Sequence, residues 1–73
     1  MTLDNLLQGE SAQVTAINAS RELKNRFNSF GLVKGATVYA EARSLGKKTL
    51  EIRINKTRIA LRSSEAKNVE ISQ

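Results

Sequence analysis

From residue 37 onward the apolar positions recur at every second residue. Val38, Ala40 and Ala42 alternate with Tyr39, Glu41 and Arg43; Leu50, Ile52 and Ile54 alternate with Glu51, Arg53 and Asn55; Ile59 and Leu61 alternate with Arg58, Ala60 and Arg62. A period of two gives each segment one dry and one wet face, as in half-buried antiparallel strands. The connections between the segments set their register. A two-residue turn at Asn55-Lys56 places Ile54 opposite Thr57, Ile52 opposite Ile59 and Leu50 opposite Leu61, and Asn tolerates the left-handed turn position. A loop over residues 44–48 places Ala42 opposite Leu50, Ala40 opposite Ile52 and Val38 opposite Ile54. Both hairpins bury the same face, and such agreement between independent local choices marks a foldable β-meander.

Upstream the period lengthens. Leu23, Phe27 and Phe30 fall at i, i+4 and i+7, one apolar helix face, with Arg21, Lys24, Asn25 and Asn28 on the polar side. Asn18 or Ser20 can cap this helix by accepting an orphan backbone N–H. Gly31 stands where a left-handed residue ends it. Val33-Lys34-Gly35-Ala36 suits a type II turn, with Gly35 at the position that needs positive φ. Nearer the N-terminus, Leu3, Leu6 and Leu7 have the spacing of one helical turn closed by Gly9, and a short strand is expected around Val14, between Gln13 and Ile17. After the meander, Ser64 is expected to cap a helical turn through Glu65 and Ala66, ahead of a last strand at Val69-Glu70-Ile71. The predicted fold is mainly β: one domain over residues 1–73, a small barrel of about five antiparallel strands with one inserted α-helix. Closing the barrel would remove exposed sheet edges.

Composition narrows the chemistry. The 73 residues include no His, no Cys, no Trp and no Pro. No His–nucleophile relay, imidazole metal site, thiolate site or disulfide can be built from this set. The chain has no GxGxxG or GxxxxGK motif for a nucleotide. The reading is a non-enzyme with no catalytic residues, no cofactor and no metal site. No apolar run approaches the roughly 20 residues of a membrane span, and the first residues lack a signal-peptide pattern, so a cytoplasmic location without membrane insertion is expected.

Two stretches resemble a known family. Leu3-x-x-Leu6, Gly9-Glu10, Val14 and Leu23-x-x-Arg26-Phe27-x-x-Phe30-Gly31-Leu32-x-x-Gly35 form the first, and Ile59-Ala60-Leu61-Arg62-x-x-Glu65-Ala66-x-x-Val69-x-Ile71 the second. In this order they are similar to the FeoA family, and the resemblance runs from Leu3 to Ile71. It implies an SH3-like β-barrel that serves ferrous iron uptake by binding and modulating the cytoplasmic part of a FeoB-type membrane GTPase transporter. The same domain occurs as the C-terminal module of metal-dependent repressors. The chain departs from the family pattern at Lys34, where Pro is usual, and at Asn28-Ser29-Phe30, in place of a leucine-rich helix end with Asp and Met.

Candidate contact residues fall in two places. Around the helix end, Leu32, Val33 and Lys34 form either a partner-docking patch or, for the two apolar residues, ordinary core. On the wet face of the meander, Arg53, Arg58 and Arg62 lie in cross-strand rows, with Tyr39 beside Arg53 and Arg58 for a cation–π contact, and Arg43 in the row of Thr49 and Arg62. That face is either an anion site or a solvated surface covered by Arg stems. Glu41 opposite Glu51 dilutes it, and two exposed carboxylates on flat strands do not enclose an ion. Twelve Lys and Arg against seven Asp and Glu give a net charge of +5, so non-specific nucleic-acid binding is the alternative function, although Tyr39 alone offers a base-stacking surface. Self-association through the exposed patch is a third possibility.

Overall fold

The computed structural model describes residues 1–46 and 48–73; Lys47 lies outside the described residues. A 3₁₀ turn (Leu3–Asn5) leads to β1 (Ser11–Ile17), α1 (Arg21–Ser29), β2 (Thr37–Arg43), β3 (Thr49–Ile54), β4 (Thr57–Arg62), the single turn α2 (Ser63–Ala66) and β5 (Val69–Ser72). The five strands form one antiparallel, curled sheet in the order β4-β3-β2-β1-β5.

The β3–β4 hairpin has the register expected from its alternation, from Ile54 opposite Thr57 to Thr49 opposite Arg62. Asn55 takes a φ of 56°, which closes the two-residue turn. The β2–β3 pair keeps the expected register only as far as Ala40 opposite Ile52. Glu41 is then an extra residue in a bulge, and Ala42 meets Glu51 while Arg43 meets Leu50. A bulge shifts every later side chain to the other face. Arg43 therefore leaves the wet row with Thr49 and Arg62, and Glu41 does not face Glu51.

Ser20 caps α1 by accepting from the Leu23 N–H at 3.2 Å, whereas Asn18 continues β1's bonding to the β5 side. The helix ends in a Schellman arrangement: Gly31, at φ 84°, donates to Asn28, and Leu32 donates to Phe27. Phe27 and Leu32 are both fully buried, which supplies the hydrophobic contact of that motif. The following turn closes with the Ala36 N–H donating to the Val33 carbonyl at 3.0 Å and Gly35 at φ 92°.

Leu3, Leu6, Phe27, Leu32, Val38, Leu50, Ile52, Leu61 and Val69 are fully buried in one core. Leu7 departs from the expected helical face: Leu6 is already extended, with ψ 130°, and Leu7 points outward, 67% exposed. Ser64 lies inside α2 and does not cap it; the Glu65 carboxylate accepts the Arg62 N–H at 3.0 Å instead. The sheet's outer strands, β4 and β5, are joined by α2 with no ladder between them among the described residues. The N-terminus covers the β5 edge, where Ile71 donates to the Met1 carbonyl at 2.9 Å and Thr2 bridges to Glu70.

Candidate functional site

The wet face of the meander gathers the expected cationic row. Tyr39 pairs with Arg53 across β2–β3, and Arg53 with Arg58 across β3–β4. The Arg53 guanidinium carbon stands 4.9 Å from the Tyr39 ring centroid, within cation–π range. Displaced by the bulge, Glu41 lies between the two arginines, 3.3 Å from Arg53 Nε and 2.8 Å from Arg58 Nη2, and Glu51 lies 3.4 Å from Arg58 Nε. The hydrogen bond to Glu41, then the charges of Glu41 and Glu51, raise the pKa of Arg58. Two cations and two anions cancel, so Arg53 and Arg58 project little net charge. Arg62 is separate from them: it faces Thr49 and, with Lys48, Thr49, Ser63 and Ser64, lines a shallow basin of about 480 Å³.

The helix-end patch divides. Leu32 has no exposed surface, since it is the apolar partner of Phe27 in the helix-ending motif, and so it leaves the set of contact residues. Val33 is 37% exposed and Lys34 is exposed beside it. Together with Thr15, Ala16 and Ile17 of β1 and Lys24 and Asn28 of α1, they line a groove of about 340 Å³. The groove exists because β1 outruns its neighbour. The β1–β2 ladder ends at Gln13 opposite Thr37, and one further residue, Val14, bonds to Gly35 and Ala36 in the turn. Beyond Val14, Lys24 and Asn28 of α1 and Val33 and Lys34 of the turn line the side of the groove facing β1. Lys24 and Asn28, four residues apart on one helix face, are what the helical pattern offered for finding this groove. Neither Lys24 nor Lys34 has an ion-pair partner among the described residues.

A half-buried polar cluster outside the groove had no signal in the alternation. Arg43, turned inward by the bulge, donates from Nη1 to Asp4 Oδ1 at 3.1 Å and from Nη2 to the Asp4 carbonyl at 2.8 Å. The Ser63 hydroxyl donates to the same carboxylate at 2.6 Å. Burial raises the Asp4 pKa, but the hydrogen bonds from Ser63 and Arg43 and the Arg43 charge outweigh it and leave the carboxyl below its ordinary value. The cluster ties the N-terminal turn to β2 and α2. Among the described residues no group of three or more His, Cys, Asp or Glu side chains could hold a metal ion. No helix among them is long and apolar enough to cross a membrane.

Comparison with known proteins gives a consistent answer. The model of the FeoA domain matches residues 1–73. A Campylobacter jejuni protein named Fe(2+) transport protein A is 38% identical over 72 residues, covering 99% of this chain and 97% of the relative. Among solved structures, the zinc complex of FeoA from Stenotrophomonas maltophilia, described as a procaryotic SH3 domain protein and a candidate ferrous iron transport activating factor, superposes with a TM-score of 0.86 at 36% identity, covering 99% of this chain and 89% of the other. FeoA from Chlorobium tepidum superposes with a TM-score of 0.92 at 27% identity, covering 97% of this chain and 68% of the other.

Proposed function

The chain belongs to the FeoA domain family along its whole length and has a role in ferrous iron transport; from that premise we propose that it acts as a non-enzymatic cytoplasmic accessory that binds and modulates a FeoB-type membrane GTPase transporter. Support comes from what the surface offers. The chain has no His or Cys, and Asp4, Glu41, Glu51 and Glu65 are paired with arginines, so what it presents is docking surface. The observation that carries the proposal is the contrast between two cationic regions. Arg53 and Arg58 are compensated by Glu41 and Glu51, whereas the groove bearing Val33, Lys34 and Lys24 has exposed apolar area next to charges with no partner among the described residues. Surfaces of that kind mark interaction sites.

The zinc in the Stenotrophomonas structure does not find a matching donor set here. Zinc sites use Cys, His and carboxylates in a closed or nearly closed shell, and this chain lacks the first two and gathers no third carboxylate among the described residues. Iron, in this reading, is the transporter's cargo. Nucleic-acid binding through the +5 charge is the weaker reading, because Tyr39, the base-stacking candidate, stands beside arginines that are already ion-paired.

The test is co-purification of the full chain with the cytoplasmic domain of the FeoB-type transporter from the same organism, with GTP hydrolysis measured with and without the chain. A stoichiometric complex with an altered hydrolysis rate is expected. No complex at low ionic strength would overturn the reading, and a salt-sensitive complex with random-sequence oligonucleotides in its place would favour the alternative.

A further inference from the structure

The groove along β1 has a feature that an ordinary surface depression lacks: an open strand edge. The Asn18 N–H donates to the Asn68 carbonyl at 2.7 Å, and Ile17 lies opposite Val69. In an antiparallel ladder, hydrogen-bonded and non-bonded pairs alternate. Asn18 and Asn68 are a bonded pair, so Ile17 and Val69 are a non-bonded one. The N–H and C=O of Ile17 therefore face away from β5. Val14 follows the same alternation, with its N–H donating to Ala36 at 2.9 Å and its carbonyl accepting from Gly35 at 2.8 Å. Thr15 is the extra residue of a bulge between Val14 and Ala16, which bends the strand there. At Ile17 the β1–β2 ladder has already ended, no other hydrogen bond reaches its N–H or C=O among the described residues, and Ile17 itself lines the groove. The β5 edge, in contrast, is closed by Met1 and Thr2.

Three kinds of recognition element therefore share one concavity: unpaired main-chain groups of Ile17, an apolar lining from Ala16, Ile17 and Val33, and the ammonium groups of Lys24 and Lys34. Strand addition to a free edge draws affinity from main-chain hydrogen bonds and specificity from alternate side chains. We propose that this groove takes an extended acidic segment of a partner protein, in which carboxylates alternate with apolar residues: the backbone adds to the edge of β1 at Ile17, the carboxylates meet Lys24 and Lys34, and the apolar side chains lie against Ala16, Ile17 and Val33. The charge of the groove selects this occupant. A second copy of the same groove would bring four lysines together, which disfavours self-association here. The inference deepens the transporter-accessory reading, since it names the chemistry of the segment by which such a partner would be held.

The test uses the intact chain and a short synthetic peptide in which Glu alternates with Val, with the Lys–Val counterpart as control, followed by amide chemical shifts and by affinity. The Glu–Val peptide should shift the amides of Thr15, Ile17, Lys24, Asn28 and Lys34 and slow solvent exchange at Ile17. Lys24→Glu with Lys34→Glu should weaken it by about tenfold or more and should favour the Lys–Val peptide instead. Both lysines are exposed, so the fold should survive, and an unchanged denaturation midpoint checks that it does. Arg62→Glu, in the basin with Lys48 and Thr49 and not in the groove, should leave binding unaltered. Shifts confined to Lys48, Thr49 and Arg62, equal binding of both peptides, or insensitivity to the double reversal would each overturn the proposal. Its failure is separable from failure of the transporter reading. If the transporter domain binds the wild type and the double variant equally, the transporter reading stands and the groove is wrong. If the peptide binds as described and the transporter domain does not, the groove stands and the partner is another acidic protein.

Discussion

Arg43 and Asp4 are 39 positions apart in the chain, yet the Arg43 guanidinium donates both to the Asp4 carboxylate, at 3.1 Å, and to the Asp4 main-chain carbonyl, at 2.8 Å. The same carboxylate accepts from Ser63 at 2.6 Å. One acid thus pins the N-terminal turn, the end of β2 and the start of α2. The Arg43 and Asp4 side chains are only 15% and 18% exposed, so the pair is shielded more than an ordinary surface bridge. Asp4→Asn should lower stability at neutral pH by about 1–3 kcal/mol, the range for losing a charged hydrogen-bond partner in a partly buried site. Urea denaturation of wild type and variant measures it.

The same site sets an acid limit. Asp4 and Glu65 both have folded-state pKa values below their ordinary 3.8 and 4.5. For Glu65, burial raises the value, but the Arg62 N–H bond, then the Arg26 hydrogen bond and charge, outweigh it. A depressed folded pKa stabilises the fold above the ordinary carboxylate pKa, and that contribution is lost as pH falls through the folded value. Stability should therefore hold from neutral pH down to about pH 5 and drop below about pH 4. Asp4→Asn with Glu65→Gln should flatten that acid limb while lowering the neutral plateau. A series of urea midpoints against pH shows whether the limb belongs to these two groups.

Glu65 has two partners, and they should contribute unequally. Its bridge to Arg26, 2.9 Å long, links α2 to α1 with Arg26 half exposed. Its bond to the Arg62 N–H satisfies a helix-start donor. An exposed bridge contributes about 0.2–1 kcal/mol, and loss of a cap costs about 0.5–2 kcal/mol. Glu65→Ala should accordingly destabilise more than Arg26→Ala in thermal or urea unfolding. Equal losses would mean that the cap contributes nothing.

How far the sequence could be read follows from which features carry a period. The β3–β4 hairpin was legible in full, because large aliphatics at Leu50, Ile52, Ile54, Ile59 and Leu61 leave one register that buries them together, and Asn55 marks the turn. The bulge at Glu41 was not. Ala40 and Ala42 are both small, and alternation through them looks unbroken whether or not an extra residue intervenes. Missing the bulge put Arg43 on the wrong face and hid its tie to Asp4. Leu7 misled for a related reason: its spacing from Leu3 fits an α-turn, but the turn is 3₁₀ and ends before it. The candidate site was half visible. Val33 and Lys34 stood out beside the Gly35 turn, but Leu32 could be assigned to the core only once its contact with Phe27 was known. The groove itself depends on where the β1–β2 ladder stops, a relation between two segments that no single segment encodes.

Asn55 offers a clean check on the turn. At φ 56° it occupies a backbone region that costs most side chains about 1–2 kcal/mol and Gly none. Asn55→Gly should be neutral or slightly stabilising. Asn55→Ala should destabilise by about 1 kcal/mol, with no change in the amide pattern of the groove 15–17. Thermal midpoints of the two variants, measured together, separate backbone strain from loss of the Asn side chain, since both variants lack the amide.

Lys34 allows stability and recognition to be moved in opposite directions. It occupies the second position of the Val33–Ala36 turn, where Pro is favoured in type II because its ring fixes the required φ. The Lys34 N–H makes no hydrogen bond among the described residues, so Pro removes no bond there, and Val33 before it stands outside any helix. Lys34→Pro should therefore stabilise the fold by about 0.4–1 kcal/mol, chiefly by restricting the unfolded chain. The same change removes one of the two groove ammonium groups and should weaken the acidic peptide while Lys24 retains part of the attraction. Lys34→Ala supplies the comparison, with the charge lost and the backbone gain absent. If the groove recognises charge, the two variants should bind the Glu–Val peptide equally poorly although their unfolding midpoints differ. If Lys34→Pro bound as well as wild type, Lys34 would be a turn residue only, and recognition would rest on Lys24 and the open edge at Ile17.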